Sequence, residues 1–180
     1  MSPPLSPDDP AAVLAPAGPG EQWVVLHTKP RCEKKLVRHS LQREACMYLP
    51  TIPRVHNYGA RVREYEIPLF NGYVFGRIAR EDLPWFRGNP YVANLLPVPN
   101  ETELLTALRD VAAALRAEVP VDVLPFLQPG RMVRVIGGPM KGMEAEIAEV
   151  KGRQQVILRL ELIQQTVAMQ IDAAYLQAAD

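Results

Sequence analysis

Four residues able to share a metal ion or a proton, Cys32, His39, Cys46 and His56, stand 7, 7 and 10 positions apart. Structural zinc sites bring their ligands in close Cys or His pairs. No such pair exists here, so structural side chains are the better reading, although Cys32 and His39 have the residue types of a thiol–imidazole pair. Serine occurs at Ser2, Ser6 and Ser40, two in a Pro-rich tail and one on an expected helix, which leaves a serine nucleophile without a base-bearing site. Glu64 and Glu66 are two apart and share a strand face, but carboxylates with no pocket signature around them read as solvent-facing. The "GGPMKG" loop, 137–142, has the glycines and lysine of a phosphate cradle in the wrong order. Lys141 precedes the last glycine, Met143 follows it and no hydroxyl is near, whereas a phosphate loop places Lys and Ser or Thr after the glycines at a helix start. The expectation is a protein without catalysis, cofactor or metal.

The remaining chemistry is that of contact. Tyr73 and Phe75 lie two apart on an expected strand and so share a face, opposite Val74. Two readings are open: the rings form the core, or Val74 and Gly76 pack inward and the rings form an exposed apolar patch suited to anchoring a partner. Lys29, Arg31, Lys34, Lys35 and Arg38 cluster where a strand end meets a helix start. Such a cluster is either a solvated helix face or a place for phosphates.

Positioning these residues requires a sizeable fold, and 180 residues with 48% hydrophobic content allow one. No apolar run approaches the roughly 20 residues that span a bilayer, the start of the chain lacks a signal-peptide pattern, and two cysteines give no disulfide framework. A cytoplasmic monomer is expected. The net charge is zero but unevenly spread: residues 22–120 carry 14 Lys or Arg against 10 Asp or Glu, and residues 121–180 carry 6 against 7. Phosphate contact would therefore be local and not the main source of affinity.

Residues 1–21, with Pro3, Pro4, Pro7, Pro10, Pro16 and Pro19, read as a disordered tail. "QWVVLHT" opens the structured part as a strand, and Pro30 opens an amphipathic helix to Ala45 whose stripe is Cys32, Leu36, Val37, Leu41 and Ala45. "MYLPTIP", "VREYEIPLF" and "GYVFGRI" read as strands of one sheet, followed by a helix from Glu101 to Glu118. This predicts an α+β fold in which an N-terminal α/β sandwich, residues 22–118, has flanking helices on a mostly antiparallel sheet. A linker follows over 119–128. From 129 to 180 the pattern is all-β, with strands in "RMVRVI", "MEAEIAEV", "QQVILRL" and "TVAMQI" forming a small barrel. Met143, Ile147 and Val150 also fit helical spacing, but Val133 and Val135 alternate with Met132 and Arg134, and β-branched residues favour a pleat. "GGPMKG" therefore joins two strands.

Three segments carry a resemblance. "WVVLHTKPRCEKK" (23–35) resembles the opening strand and helix of NusG-type transcription elongation factors. "PLFNGYVFGRI" (68–78) is similar to their Phe-Pro-Gly-Tyr-Val strand, with Asn71 in place of the usual Pro. "PGRMVRVIGGPMKGMEAEIAEV" (129–150) resembles their KOW module. In this order the three span nearly everything after residue 21. The resemblance implies an N-terminal domain that binds the clamp helices of the largest RNA polymerase subunit, steadies a closed clamp, suppresses pausing and promotes readthrough of terminators. It implies polymerase-binding positions at Trp23, Phe70, Tyr73 and Phe75, and favours the exposed reading of the aromatics. For members similar to the antiterminator RfaH, it implies contact between Lys29, Arg31, Lys34, Lys35 and Arg38 and the non-template DNA strand of the transcription bubble.

The barrel of such proteins recruits a second partner, often a small-subunit ribosomal protein or a termination factor, here through the loop near Ile163. "LELIQQT" lacks the aromatic and Arg familiar from general NusG, which favours a specialised paralogue acting on particular operons. The alternative is an RNA-binding or ribosome-associated KOW protein, against which the neutral charge argues. "EDLPWFRG", 81–88, falls where the family touches the opposite polymerase subunit, but Trp85 and Phe86 also suit closing the sandwich.

Overall fold

A computed structural model describes residues 10–59, 61–125, 130–150 and 152–179. The chain forms two compact units, one ending at Thr102 and one beginning at Glu103.

In the first unit, the β-branched run after Gln22 forms strand β1 (Glu21–Thr28), which pairs antiparallel on one side with β5 (Tyr73–Ala79) and on the other with β6 (Val92–Pro97). β2 (Cys46–Tyr48) extends the sheet beyond β5, giving the order β2-β5-β1-β6. Cross-strand partners share a face, so Leu26 with Val74 and Val24 with Gly76 define one side. That side is closed by helix α2 (Glu33–Ser40) through Leu36 and Val37, and by the short helix α3 (Leu83–Arg87) through Phe86. Phe86 and Trp85 do close the sandwich. Helix α2 is shorter than its apolar stripe predicts: after Ser40 it tightens into a 3-10 turn, Leu41–Arg43, and Glu44 at φ 53 ends it. Leu41 is consequently exposed.

"VREYEIPLF" does not join this sheet. β3 (Thr51–Tyr58) and β4 (Arg61–Pro68) form a separate two-stranded ribbon, a correction to the expected single sheet. Eight residue pairs hold the two strands to each other, and each strand keeps one open edge whose backbone groups are not paired within the hairpin.

The tail expectation also changes. Residues 1–9 lie outside the described residues, but from Pro10 the chain is ordered: a helical turn, α1 (Pro10–Val13), is followed by Leu14, and Val13 and Leu14 are buried. Two apolar anchors outweigh a composition that otherwise favours solvated chain.

Helix α4 (Glu101–Arg116) buries Leu104, Leu105, Leu108, Val111, Ala112 and Ala114 along one side, as its periodicity predicts. Val119 N–H bonds to the Ala114 carbonyl at 2.9 Å and caps it. Within the expected linker 119–128, β7 (Val121–Pro125) runs antiparallel along β11 (Gln165–Met169); residues 126–129 lie outside the described residues. The second unit is otherwise β-rich, as expected. β8 (Arg131–Val135), β9 (Glu144–Val150), β10 (Arg153–Leu160) and β11 match the four strands read from the sequence. β7 and β12 (Leu176–Ala178) complete a six-stranded antiparallel sheet. "GGPMKG" is the β8–β9 connection, closed by Gly142 N–H to the Val135 carbonyl at 2.8 Å.

No helix among the described residues is long and apolar enough to cross a membrane.

Candidate functional site

Strands β1 and β5 lie at the centre of the first sheet, so their second face decides what the unit can present. That face carries Trp23, Val25 and His27 from β1 opposite Arg77, Phe75 and Tyr73 from β5. Val74 and Gly76 pack inward as one of the two open readings required, yet the aromatics opposite them are not therefore exposed. Trp23 is 2% exposed, and Phe70 and Phe75 are 0% exposed. Phe70 meets Phe75 edge-on at 5.8 Å between centroids. Of the two rings expected to form an outward patch, Tyr73 and Phe75, Phe75 is enclosed, and so are Trp23 and Phe70, the other aromatics expected as polymerase-binding positions; both faces of the sheet are covered there, and a ring on either side becomes core.

Part of the cover is the segment around Leu14. Trp23 Nε1–H donates to the Ala15 carbonyl at 3.0 Å, and Arg77 Nη1 donates to the Ala15 and Pro16 carbonyls at 3.4 and 3.3 Å. The Cys46 thiol points to the Val13 carbonyl. The segment ends with Ala17 N–H bonded to the Glu101 carboxylate at 2.8 Å.

Tyr73 differs from its neighbours. It is half-buried at the end of β5, and its ring stacks on exposed His27 with centroids 5.0 Å apart and planes inclined 20°. The turn before it is held by Glu33, whose buried carboxylate accepts the Gly72 N–H at 2.7 Å. His27 is missed by sequence reasoning, since a lone histidine on a strand carries no signal until its cross-strand partner is known.

Lys29, Arg31, Lys35 and Arg38 are exposed, and they do lie around the turn between β1 and α2. Arg31 takes φ 59, a left-handed conformation that a non-glycine residue seldom adopts. Lys34 is committed to the fold, its ammonium donating to the Glu66 carbonyl of β4 and so tying α2 to the ribbon. Beyond Lys34 an open groove of about 1140 Å³ is lined by Arg31, Arg61, Arg63, Glu64, Tyr65 and Ile67. Of the ribbon residues the sequence drew attention to His56, Glu64 and Glu66; for Arg61, Arg63 and Tyr65 their alternation was the available signal.

The thiol and imidazole candidates are dispersed. His39 Nδ1 lies 2.9 Å from the Asn89 amide nitrogen and its ring packs on Trp85 and Tyr91. Among the described residues no three His, Cys, Asp or Glu side chains converge. In the second unit Ile163 is 5% exposed, so the partner contact expected there is not offered by its side chain: the turn Glu161–Ile163 points it inward, and Gln164 takes the exposed left-handed position.

Residues 21–118 match the family model described as "Transcription termination factor nusG", and residues 129–159 match the KOW motif. The chain is 26% identical over 171 residues to the transcription termination/antitermination protein NusG of Lactococcus lactis, covering 83% of this chain and 89% of that protein. A solved structure described as domain interaction in Thermotoga maritima NusG aligns with a TM-score of 0.46 at 19% identity, over 89% of this chain and 98% of that one. A complex described as MjSpt4:Spt5 aligns with a TM-score of 0.28 at 18% identity, over 88% of this chain and 97% of that chain.

Proposed function

The chain belongs to the NusG family of transcription termination and antitermination proteins, and from that premise we propose that it binds RNA polymerase during elongation and favours readthrough. Binding energy spent on one clamp state shifts the polymerase population toward it, and pause escape follows from that shift. The docking point is the rim where Tyr73 stacks on His27, and contact with the clamp helices of the largest subunit is made there. The observation that supports this site is that Tyr73 keeps an accessible ring while Trp23, Phe70 and Phe75 are enclosed. The enclosed rings hold the rim in place and do not meet the partner.

The proposed class is a specialised antiterminator, similar to RfaH, because "LELIQQT" lacks the aromatic and Arg of the general factor. Lys29, Arg31, Lys35 and Arg38 supply positive charge toward the non-template strand. The second unit recruits a further partner, a small-subunit ribosomal protein, by surfaces other than the Ile163 side chain.

Co-purification with RNA polymerase and a terminator-readthrough assay test the reading. The full chain is expected to co-purify and raise readthrough, and Tyr73→Ala is expected to weaken polymerase binding about tenfold, the scale of an interface anchor. A chain that neither co-purifies with polymerase nor changes readthrough overturns the proposal.

A further inference from the structure

The β3–β4 ribbon separates its charges by face. Arg54 stands opposite Tyr65, His56 opposite Arg63 and Tyr58 opposite Arg61, so these positions share one face; Val55 with Glu64, Asn57 with Val62 and Pro53 with Glu66 occupy the other. All the arginines are therefore on one side and both glutamates on the other. Positions 53–57 and 61–66 are exposed, Tyr65 at 43%. Among the described residues Arg31, Arg54, Arg61 and Arg63 form no ion pair with a carboxylate. Arg31, in its left-handed turn, borders the same groove as Arg61, Arg63 and Tyr65, with Ile67 and the Glu64 margin completing the lining.

Unpaired guanidiniums in a row are a phosphate track, and an accessible phenol ring among them is a surface on which a base stacks regardless of its identity. An apolar protein partner would use the opposite face, where exposed Val55 and Val62 stand beside both glutamates, whereas an anionic partner is directed by charge to the arginine face. We infer that this face of the ribbon, with Arg31, is a binding surface for single-stranded nucleic acid, its phosphates held by Arg31, Arg54, Arg61 and Arg63 and one base stacked on Tyr65. It deepens the proposed function, relying on it only for which strand is met in the cell, and moves the main nucleic-acid contact from the outer face of α2 to the ribbon.

The test is fluorescence anisotropy of the full chain, without polymerase, against a labelled 15-nucleotide single-stranded DNA, the matching RNA and the matching duplex, between 50 and 200 mM salt (about these values, to span the counterion-release range). Single strands are expected to bind more tightly than duplex. Arg61→Gln with Arg63→Gln should weaken binding about tenfold and flatten the log–log salt slope by about 1.4, since each phosphate contact on a single strand contributes about 0.7. Tyr65→Ala should weaken it about fivefold with the slope unchanged. Val55→Thr with Val62→Thr, on the opposite face, should leave it unaltered. Absence of binding at the lower salt, tighter binding of duplex, or equal losses from the two faces would overturn the inference. Because no polymerase is present, failure here leaves the polymerase proposal standing, and failure of co-purification leaves this measurement intact. Circular dichroism melting of each variant separates loss of contact from loss of fold.

Discussion

Trp23 and Arg77 are direct cross-strand partners, and both donate to the same Ala15 carbonyl, at 3.0 and 3.4 Å. The pairing turns the segment around Leu14 into part of the core of the first unit. Leu14→Ala should cost about 2–5 kcal/mol, the range for a fully enclosed leucine. Trp23→Phe, which keeps the ring and removes the donor, should cost about 1 kcal/mol. Urea unfolding with unchanged m-value checks both, and a neutral Leu14→Ala would show that the segment adds nothing to the fold.

Tyr73 and Phe75 lie on the same face and are expected to respond differently. Phe75→Ala should destabilise the unit by about 3–5 kcal/mol, because it empties an enclosed site against Phe70. Tyr73→Ala should change stability by no more than about 1 kcal/mol while reducing polymerase binding. Parallel thermal melts and binding assays would separate the two roles; equal stability losses would place Tyr73 in the core.

Glu146 holds two segments of the second unit at once. One carboxylate oxygen accepts from Arg159 at 2.6 Å and the other from the Gly130 N–H at 2.8 Å, with both charged side chains less than one-fifth exposed. Removing one member leaves the other charge poorly solvated. Glu146→Gln should cost about 2 kcal/mol, and Arg159→Met added to it should cost much less than the sum of the single changes. A double-mutant cycle with a coupling below about 0.5 kcal/mol would remove the pair from the account.

Gly130 and Gly142 are required for different reasons. A Cβ on Gly130 would lie 2.0 Å from the Ile147 carbonyl oxygen, a backbone that cannot step aside. At Gly142 nothing lies within 4 Å, and only its φ of 94° resists a side chain. Gly142→Ala should therefore cost about 1–2 kcal/mol, and Gly130→Ala more. Melting of the two variants gives the order, and the reverse order would contradict the close approach.

Burial pushes the Asp110 carboxyl up from its ordinary 3.8 to about 6. The folded chain then binds this proton more tightly than the unfolded chain, so the contribution to stability falls as pH rises from about 4 to 6 and stays lost above. Asp110→Asn should stabilise the protein at pH 7 by about 1 kcal/mol, a figure reduced for the partial solvent screening of the group. The gain should shrink toward zero below pH 4. Denaturant midpoints at pH 4 and pH 7 check it, and a gain equal at both would exclude this carboxyl as the cause.

The basic turn and the arginine alternation were both visible as residue types, but only one was recognised as a surface. Lys29 to Arg38 lie close in sequence, so their clustering shows without a fold. Arg54 and Arg63 meet only through the hairpin register, which places Arg54 opposite Tyr65 and His56 opposite Arg63. The same limit hid β7 and β12, since short strands with little alternation of their own are set by the partners β11 and β8.

Local sequence determined the strands of the second unit, the apolar stripes of α2 and α4 and the motifs that place the chain in its family, because periodicity and turn chemistry act over a few residues. It also determined that Tyr73 and Phe75 share a face. Only the tertiary structure decided whether that face is wet or dry. Alternation assigns side chains to the two sides of a sheet, but what covers each side comes from distant chain, here Val13 to Pro16 lying across Trp23, Cys46 and Arg77.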